Sequence, residues 1–179
     1  MRSWLHLARV SSLAPLFVVA ALCGCDGPPI VQMDGGHEDA PAAMGVLGLG
    51  EGELSYRAID DGDTLLVAQG CQGSQHVWIT LRSEGMDPRG MIIDLDLRRE
   101  SDGAQISASF HLRLSFDQDV SGEFAQLSGI TLQIPDPDMA LDTDLILSGR
   151  IQDRDGVVAE SSRRVRIAWG TERCTKLTG

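Results

Sequence analysis

The sequence predicts an all-β fold: an antiparallel β-sandwich of about seven to eight strands, immunoglobulin-like, with an eight-stranded barrel as the alternative. Three observations carry this. From Glu53 onward apolar and polar residues alternate with a period of two, the spacing that sends one face of a strand into a core. Clusters of Asp, Gly and Pro break the alternation at roughly ten-residue intervals, as turns between short strands do. Nowhere do apolar residues recur at helical spacing over three turns.

The chain opens on Arg2 and Arg9 and an apolar run, Val10 to Leu22, broken only by Ser11, Ser12 and Pro15. That run is shorter than the roughly 20 residues a helix needs to cross a bilayer. It reads as a signal-peptide h-region. At its end stands Leu22-Cys23-Gly24-Cys25, which resembles the bacterial lipoprotein lipobox: a branched aliphatic, a tolerant position, a small residue and then cysteine. The resemblance implies that residues 1–24 are removed, that the Cys25 thiol takes a diacylglycerol and that the new amine is acylated. Each buried CH₂ adds about 0.8 kcal/mol, so several chains anchor stably where one is marginal. The expected location is the bacterial cell envelope, facing the periplasm or the exterior. Asp26 leaves both the inner and the outer membrane open.

With Cys23 lost and Cys25 lipidated, Cys71 and Cys174 remain in an oxidising compartment and are expected to form one disulfide. Neither has a second ligand at metal spacing, and there is no C-x-x-C. Removing the first 24 residues lowers the formal net charge from −11 to −13. So acidic a chain argues against nucleic acid and anionic headgroups as partners, since both need a basic footprint. Lys176 is the sole lysine, a compositional bias toward arginine without chemical consequence.

Residues 25–52 read as a flexible tether, with Gly27-Pro28-Pro29, Asp34-Gly35-Gly36, Pro41 and a glycine-punctuated run from Gly45 to Gly52. His37-Glu38-Asp39 lies inside it without further ligands in spacing. The sandwich domain then spans residues 53–179. Leu54, Tyr56 and Ala58 alternate up to the turn Asp60 to Asp63, and Leu65 to Ala68 is a second strand. Val77, Ile79 and Leu81 share one face of a third; Met91, Ile93, Leu95 and Leu97 share one face of a fourth. After Ser101-Asp102-Gly103 comes the most regular alternation, Ile106, Ala108, Phe110, Leu112, Leu114 and Phe116. Phe124 to Ile134 is less regular and stops at Pro135-Asp136-Pro137. Leu145, Leu147 and Ile151 line another strand, and Asp153 to Gly156 turns the chain into Val157, Ala159, Val165, Ile167 and Trp169.

Alternating strand directions would gather the loops at Asp60 to Asp63, Gly85 to Gly90, Asp117 to Gly122 and Asp153 to Gly156 at one end. The loops at Cys71 to Gln75, Ser101 to Gly103 and Pro135 to Asp142, with Cys174, fall at the other. Two acidic sets, Asp136, Asp138, Asp142 and Asp144, or Asp61, Asp63, Asp153 and Asp155, are candidate calcium cages, calcium taking six to eight oxygens. Aspartate also suits turns on its own account. No EF-hand spacing is present, and no other metal or cofactor is expected.

The stretch Gly70 to Trp78 is the most individual in the domain. Its G-x-Q-G-x-x-H-V-W pattern resembles one in uncharacterised secreted and lipoprotein β domains of environmental bacteria, over Leu65 to Arg98, which implies a β fold and no particular activity. Gln72, Gln75, His76 and Trp78 form the candidate ligand patch. The competing role is structural, with Trp78 covering a sheet face and His76 bonding the loop backbone. There is no G-x-S-x-G, H-E-x-x-H or phosphate loop, so no catalytic residue is assigned and an enzyme is not expected; a hydrolase stays a distant alternative. The function predicted is a lipid-anchored binding or adhesive module with an envelope protein or a glycan as partner. The alternatives are a passive envelope component or a calcium-stabilised carbohydrate-binding domain.

Overall fold

A computed structural model describes residues 45–70 and 73–173. Cys25, Cys71, Gln72 and Cys174 lie outside the described residues. So do residues 1–44, over which the sequence predicts a signal peptide and most of a tether.

The described fold is all-β. Ten strands form one continuous hydrogen-bonded sheet: β1 (Val46–Glu51), β2 (Arg57–Ala58), β3 (Asp63–Gln69), β4 (Gln75–Glu84), β5 (Met91–Arg99), β6 (Phe110–Leu114), β7 (Asp117–Gln118), β8 (Ala125–Gln133), β9 (Leu145–Gln152) and β10 (Val158–Arg173). A single 3₁₀ turn, Pro137–Met139, is the one helical element among the described residues. The main order is β2-β1-β4-β3-β10-β9-β5-β6, and β8 joins the far side of β4 with β7 beyond it. Two features differ from the purely antiparallel sandwich that the sequence predicts. The strands form one sheet, and β3 runs parallel to β10, from Asp63 opposite Val165 to Gln69 opposite Arg173. Neither feature leaves a mark on single-strand alternation, because period two reports which face is buried and not which neighbour is paired.

The sheet curls so that both halves share one core. Leu47 and Leu49 of β1 and Val77, Ile79 and Leu81 of β4 are buried, as are Met91, Ile93 and Leu97 of β5 and Leu145, Leu147 and Ile151 of β9. Gly149 shows how close the halves come: a Cβ built there would stand 2.8 Å from Leu49 Cδ2 and 3.2 Å from Leu47 Cδ2. The margin beyond β5 is partly closed as well. Ile106 N–H donates to the Leu97 carbonyl on β5 at 2.8 Å, and Ala108 N–H donates to the Gln133 carbonyl on β8 at 2.8 Å, so residues 106–108 cross from one half to the other. That crossing interrupts the alternation that looks most regular in the sequence. Only β6 remains a strand, and as an edge strand it leaves Leu112 49% exposed.

The largest correction falls on Gly45 to Gly52. These residues have the composition of a tether, yet β1 pairs with β4 over its whole length, from Val46 opposite Glu84 to Glu51 opposite Ile79. Its glycines are there for space. A Cβ on Gly50 would lie 2.5 Å from the Tyr56 ring and one on Gly48 2.7 Å from the Tyr56 hydroxyl. Tyr56 lies over β1, donates to the Leu49 carbonyl at 3.3 Å and stacks under the Arg82 guanidinium at 4.1 Å; the Phe124 ring lies 4.2 Å from the same guanidinium. Such cation–π contacts contribute about 0.5–1 kcal/mol where exposed.

The loop ends need one revision. Asp87 N–H donates to Asp153 Oδ2 at 3.2 Å and Arg154 pairs with Asp87 at 2.8 Å, so the 85–90 and 153–156 loops do meet. The Asp60 to Asp63 loop lies elsewhere. Asp61 Oδ1 accepts from Arg164 N–H at 2.8 Å, and Arg164 is opposite Ile146, six residues and about 20 Å along β9 from Gln152. The parallel β3–β10 pairing is what carries this loop to the other end, so Asp61 and Asp63 cannot share an ion with Asp153 and Asp155.

Candidate functional site

The residues singled out by sequence converge on β4, where the sheet splits. β4 pairs with β3 only at Gln75 and His76, and with β1 only from Ile79 onward. Val77 and Trp78 therefore face neither of these neighbours, except that Gly52 N–H donates to the Trp78 carbonyl at 3.2 Å. There β1 ends and turns sharply back. Gly52 takes φ 132°, and a Cβ on it would lie 2.2 Å from the Ser55 carbonyl oxygen, so only glycine makes this turn. Thr80, fully buried, donates to the Gly52 carbonyl at 2.7 Å and fixes the turn to β4.

Between the departing β1 and β3 lies a wedge-shaped cleft of about 360 Å³, lined by Glu51, Arg57, Leu66, Ala68, Trp78 and Thr171, among others. Glu51 spans it. One carboxylate oxygen accepts from Leu66 N–H at 3.1 Å, satisfying an amide that the sheet leaves open, and the other pairs with Arg57. The cleft is thus amphipathic, with Trp78 and a 52% exposed Leu66 beside an ion pair. This is the kind of mixed lining that small-ligand and peptide contacts use.

The predicted patch divides accordingly. Trp78 is half-buried and lines the cleft. His76 is only 7% exposed and packs its ring edge-on against Trp78, with centroids 4.8 Å apart and planes at 88°. It holds the indole and does not present itself to a ligand. Gln75 is half-buried in the Ala68–Gln69 pairing next to it. Sequence reasoning missed Glu51, Arg57 and Leu66, because what makes them neighbours of Trp78 is the split of β4 between two partners.

Among the described residues no group of three or more His, Cys, Asp or Glu is arranged to hold a metal ion. Asp136, Asp138, Asp142 and Asp144 do not converge. Asp144 pairs with Arg166 at 2.8 Å, and Asp142 takes φ 57° as a turn residue.

A second cleft, of about 750 Å³, lies over β5, β9 and β10. Register places two rows of side chains side by side there. Asp94 is opposite Arg150, which is opposite Glu160; Asp96 is opposite Ser148, which is opposite Ser162. Arg150 reaches Asp94 at 3.7 Å and Glu160 at 3.3 Å, and His111 of β6 pairs with Asp94 from its other side. Short serines beside long charged side chains leave the depression.

At the end of the sheet where Asp87 sits, the carboxyl is held well below the ordinary carboxylate range by hydrogen bonds from the Arg89 and Arg154 side chains and from the Arg89 backbone. This cluster ties two turns together.

No family model matches this chain, and no curated protein matches it.

Proposed function

We propose that this chain is a lipid-anchored cell-envelope protein whose β domain is a binding module, with the wedge at Trp78 as its contact site. The observation that carries the reading is the half-buried Trp78 in a cleft that the splitting of β1 and β3 from β4 leaves open. A tryptophan held edge-on by a buried histidine is a rigid aromatic anchor, the residue type that dominates binding energy in small patches. The anchor is supported by the lipobox at Leu22 to Cys25 and the run before it. The finer fold belongs to the same reading: sandwich-like packing of the two halves of the curled sheet is supported by the close approach of Gly149 to Leu47 and Leu49 across one core. The test is affinity capture of the full lipidated chain from its own envelopes, with Trp78→Ala as the comparison. A co-purifying component that disappears with the variant supports the reading, and identical captures from both proteins refute it.

A further inference from the structure

We propose that the cleft over β5, β9 and β10 is a second binding site, for a neutral, hydroxyl-rich ligand of the saccharide class. It goes beyond the wedge reading, since the two clefts share no lining residue.

Charge in this cleft is paired within the protein. Asp94 is already matched by His111 and Arg150, and Glu160 by Arg150. Asp96 Oδ2 accepts from Arg98 Nε at 3.1 Å. Arg163 donates to the Ile59 and Ser162 carbonyls and to Ser161 Oγ, and the lining sets three carboxylates, Asp94, Asp96 and Glu160, against three guanidiniums, Arg98, Arg150 and Arg163, so the cleft offers no net sign to recognise. A neutral ligand need displace none of these partners.

What remains is hydrogen-bonding capacity. Asp96 Oδ1 is buried and accepts no hydrogen bond in the structure. A buried carboxylate oxygen left so costs free energy that a donor recovers. Asp96 is beside Ser148, and Ser148 beside Ser162, so a carboxylate and two hydroxyls run in one row across three strands. The charged row lies two residues along, about 7 Å away, and neighbouring strands are about 4.8 Å apart. The grid is therefore roughly 7 Å by 10 Å, with carboxylates at three corners, the Ser162 hydroxyl at the fourth, and Arg150 and Ser148 on the strand between. A sugar ring carries groups that both donate and accept at comparable separations. A ring hydroxyl donates to the Asp96 carboxylate, whose covered Oδ1 is brought to the cleft by rotation of the partly exposed carboxyl group, and others accept from the serines and Arg150. Phe110, half-buried at the margin of the same cleft, offers an apolar edge to the ring's C–H groups.

The test is a glycan array of neutral and anionic oligosaccharides, probed with the full lipidated chain in a zwitterionic detergent. Asp96→Asn, Ser148→Val and Trp78→Ala are run in parallel, with melting curves for each. The expected result is retention of one or more neutral glycans, weakened roughly tenfold or more by Asp96→Asn and by Ser148→Val, with Trp78→Ala behaving as the parent. Ser148→Val fills the floor without touching the charges, so it keeps the test informative if Asp96→Asn fails to fold. Retention of no glycan, retention of anionic glycans only, or binding indifferent to both cleft variants overturns the proposal. Loss with Trp78→Ala alone would move the glycan to the wedge and also overturn it.

Discussion

Gln69 on β3 and Arg173 on β10 are register partners across the parallel strand pair. Cys71 follows Gln69 by two residues and Cys174 follows Arg173 by one. Both cysteines lie outside the described residues, and we propose that they pair. The expected outcome is no titratable thiol in the mature protein unfolded without reductant; finding two free thiols contradicts the pairing. The bridge would close a loop of about 100 residues, for which chain entropy sets an upper figure of roughly 4–5 kcal/mol. Replacing both cysteines by serine should lower stability by up to that amount in urea unfolding.

The β1 strand makes a second prediction. A chain that begins at Glu53 should fail to fold, while one that begins at Gly45 should melt cooperatively, because Leu47 and Leu49 would otherwise leave a hole in the core. Leu49→Ala alone should cost about 2–5 kcal/mol. Gly50→Ala should cost about 1–3 kcal/mol by driving a Cβ into the Tyr56 ring. Cooperative melting of the chain that begins at Glu53 would return residues 45–52 to the tether.

How far the sequence reaches is clear from such positions. Alternation finds the inward faces of β4, β5 and β9 residue by residue, since burying Met91, Ile93, Leu95 and Leu97 requires only that one strand have two faces. It loses β1, where Gly48 and Gly50 make room for a ring that arrives from Tyr56; in sequence those glycines look the same as linker glycines. It overextends β6, because Ile106 and Ala108 keep the alternation while their amides go to strands in different halves. At the site, Trp78 is legible as an unusual residue on a polar face. Its neighbours Glu51 and Leu66 are not, nor is the row Asp96, Ser148, Ser162, because cross-strand register is set by the whole sheet.

Asp87 gives a pH dependence with a definite sign. Its carboxyl is depressed in the folded state by Arg89 and Arg154, so the folded protein holds this proton less tightly than the unfolded chain does. The stabilisation is therefore fully present above the ordinary carboxylate range and is lost as pH falls through and below it. Urea unfolding of the parent and Asp87→Asn from pH 7 to pH 2 should show the parent more stable at neutral pH, with the gap closing in acid. The gap should also narrow in molar salt, as the ion pairs are screened. A constant gap across pH would contradict this role.

The anchor predicts a partition. The full chain expressed in a lipoprotein-processing bacterium should enter the detergent phase in a Triton X-114 separation, and Cys25→Ser should stay in the aqueous phase. Intact mass should show the chain starting at Cys25 with added acyl groups. Equal partition of both forms contradicts lipidation at Cys25.

The binding claim is tested most directly by a contact made at the wedge itself. A photo-crosslinking phenylalanine is placed at Leu66, 52% exposed on the wedge rim, and in a separate protein at Val120, fully exposed on a remote turn. Each is irradiated as the lipidated chain in intact envelopes. The expected result is a discrete adduct from Leu66 that is absent from Val120 and is lost when Trp78→Ala is added. No adduct from Leu66, or the same adducts from both positions, would contradict it.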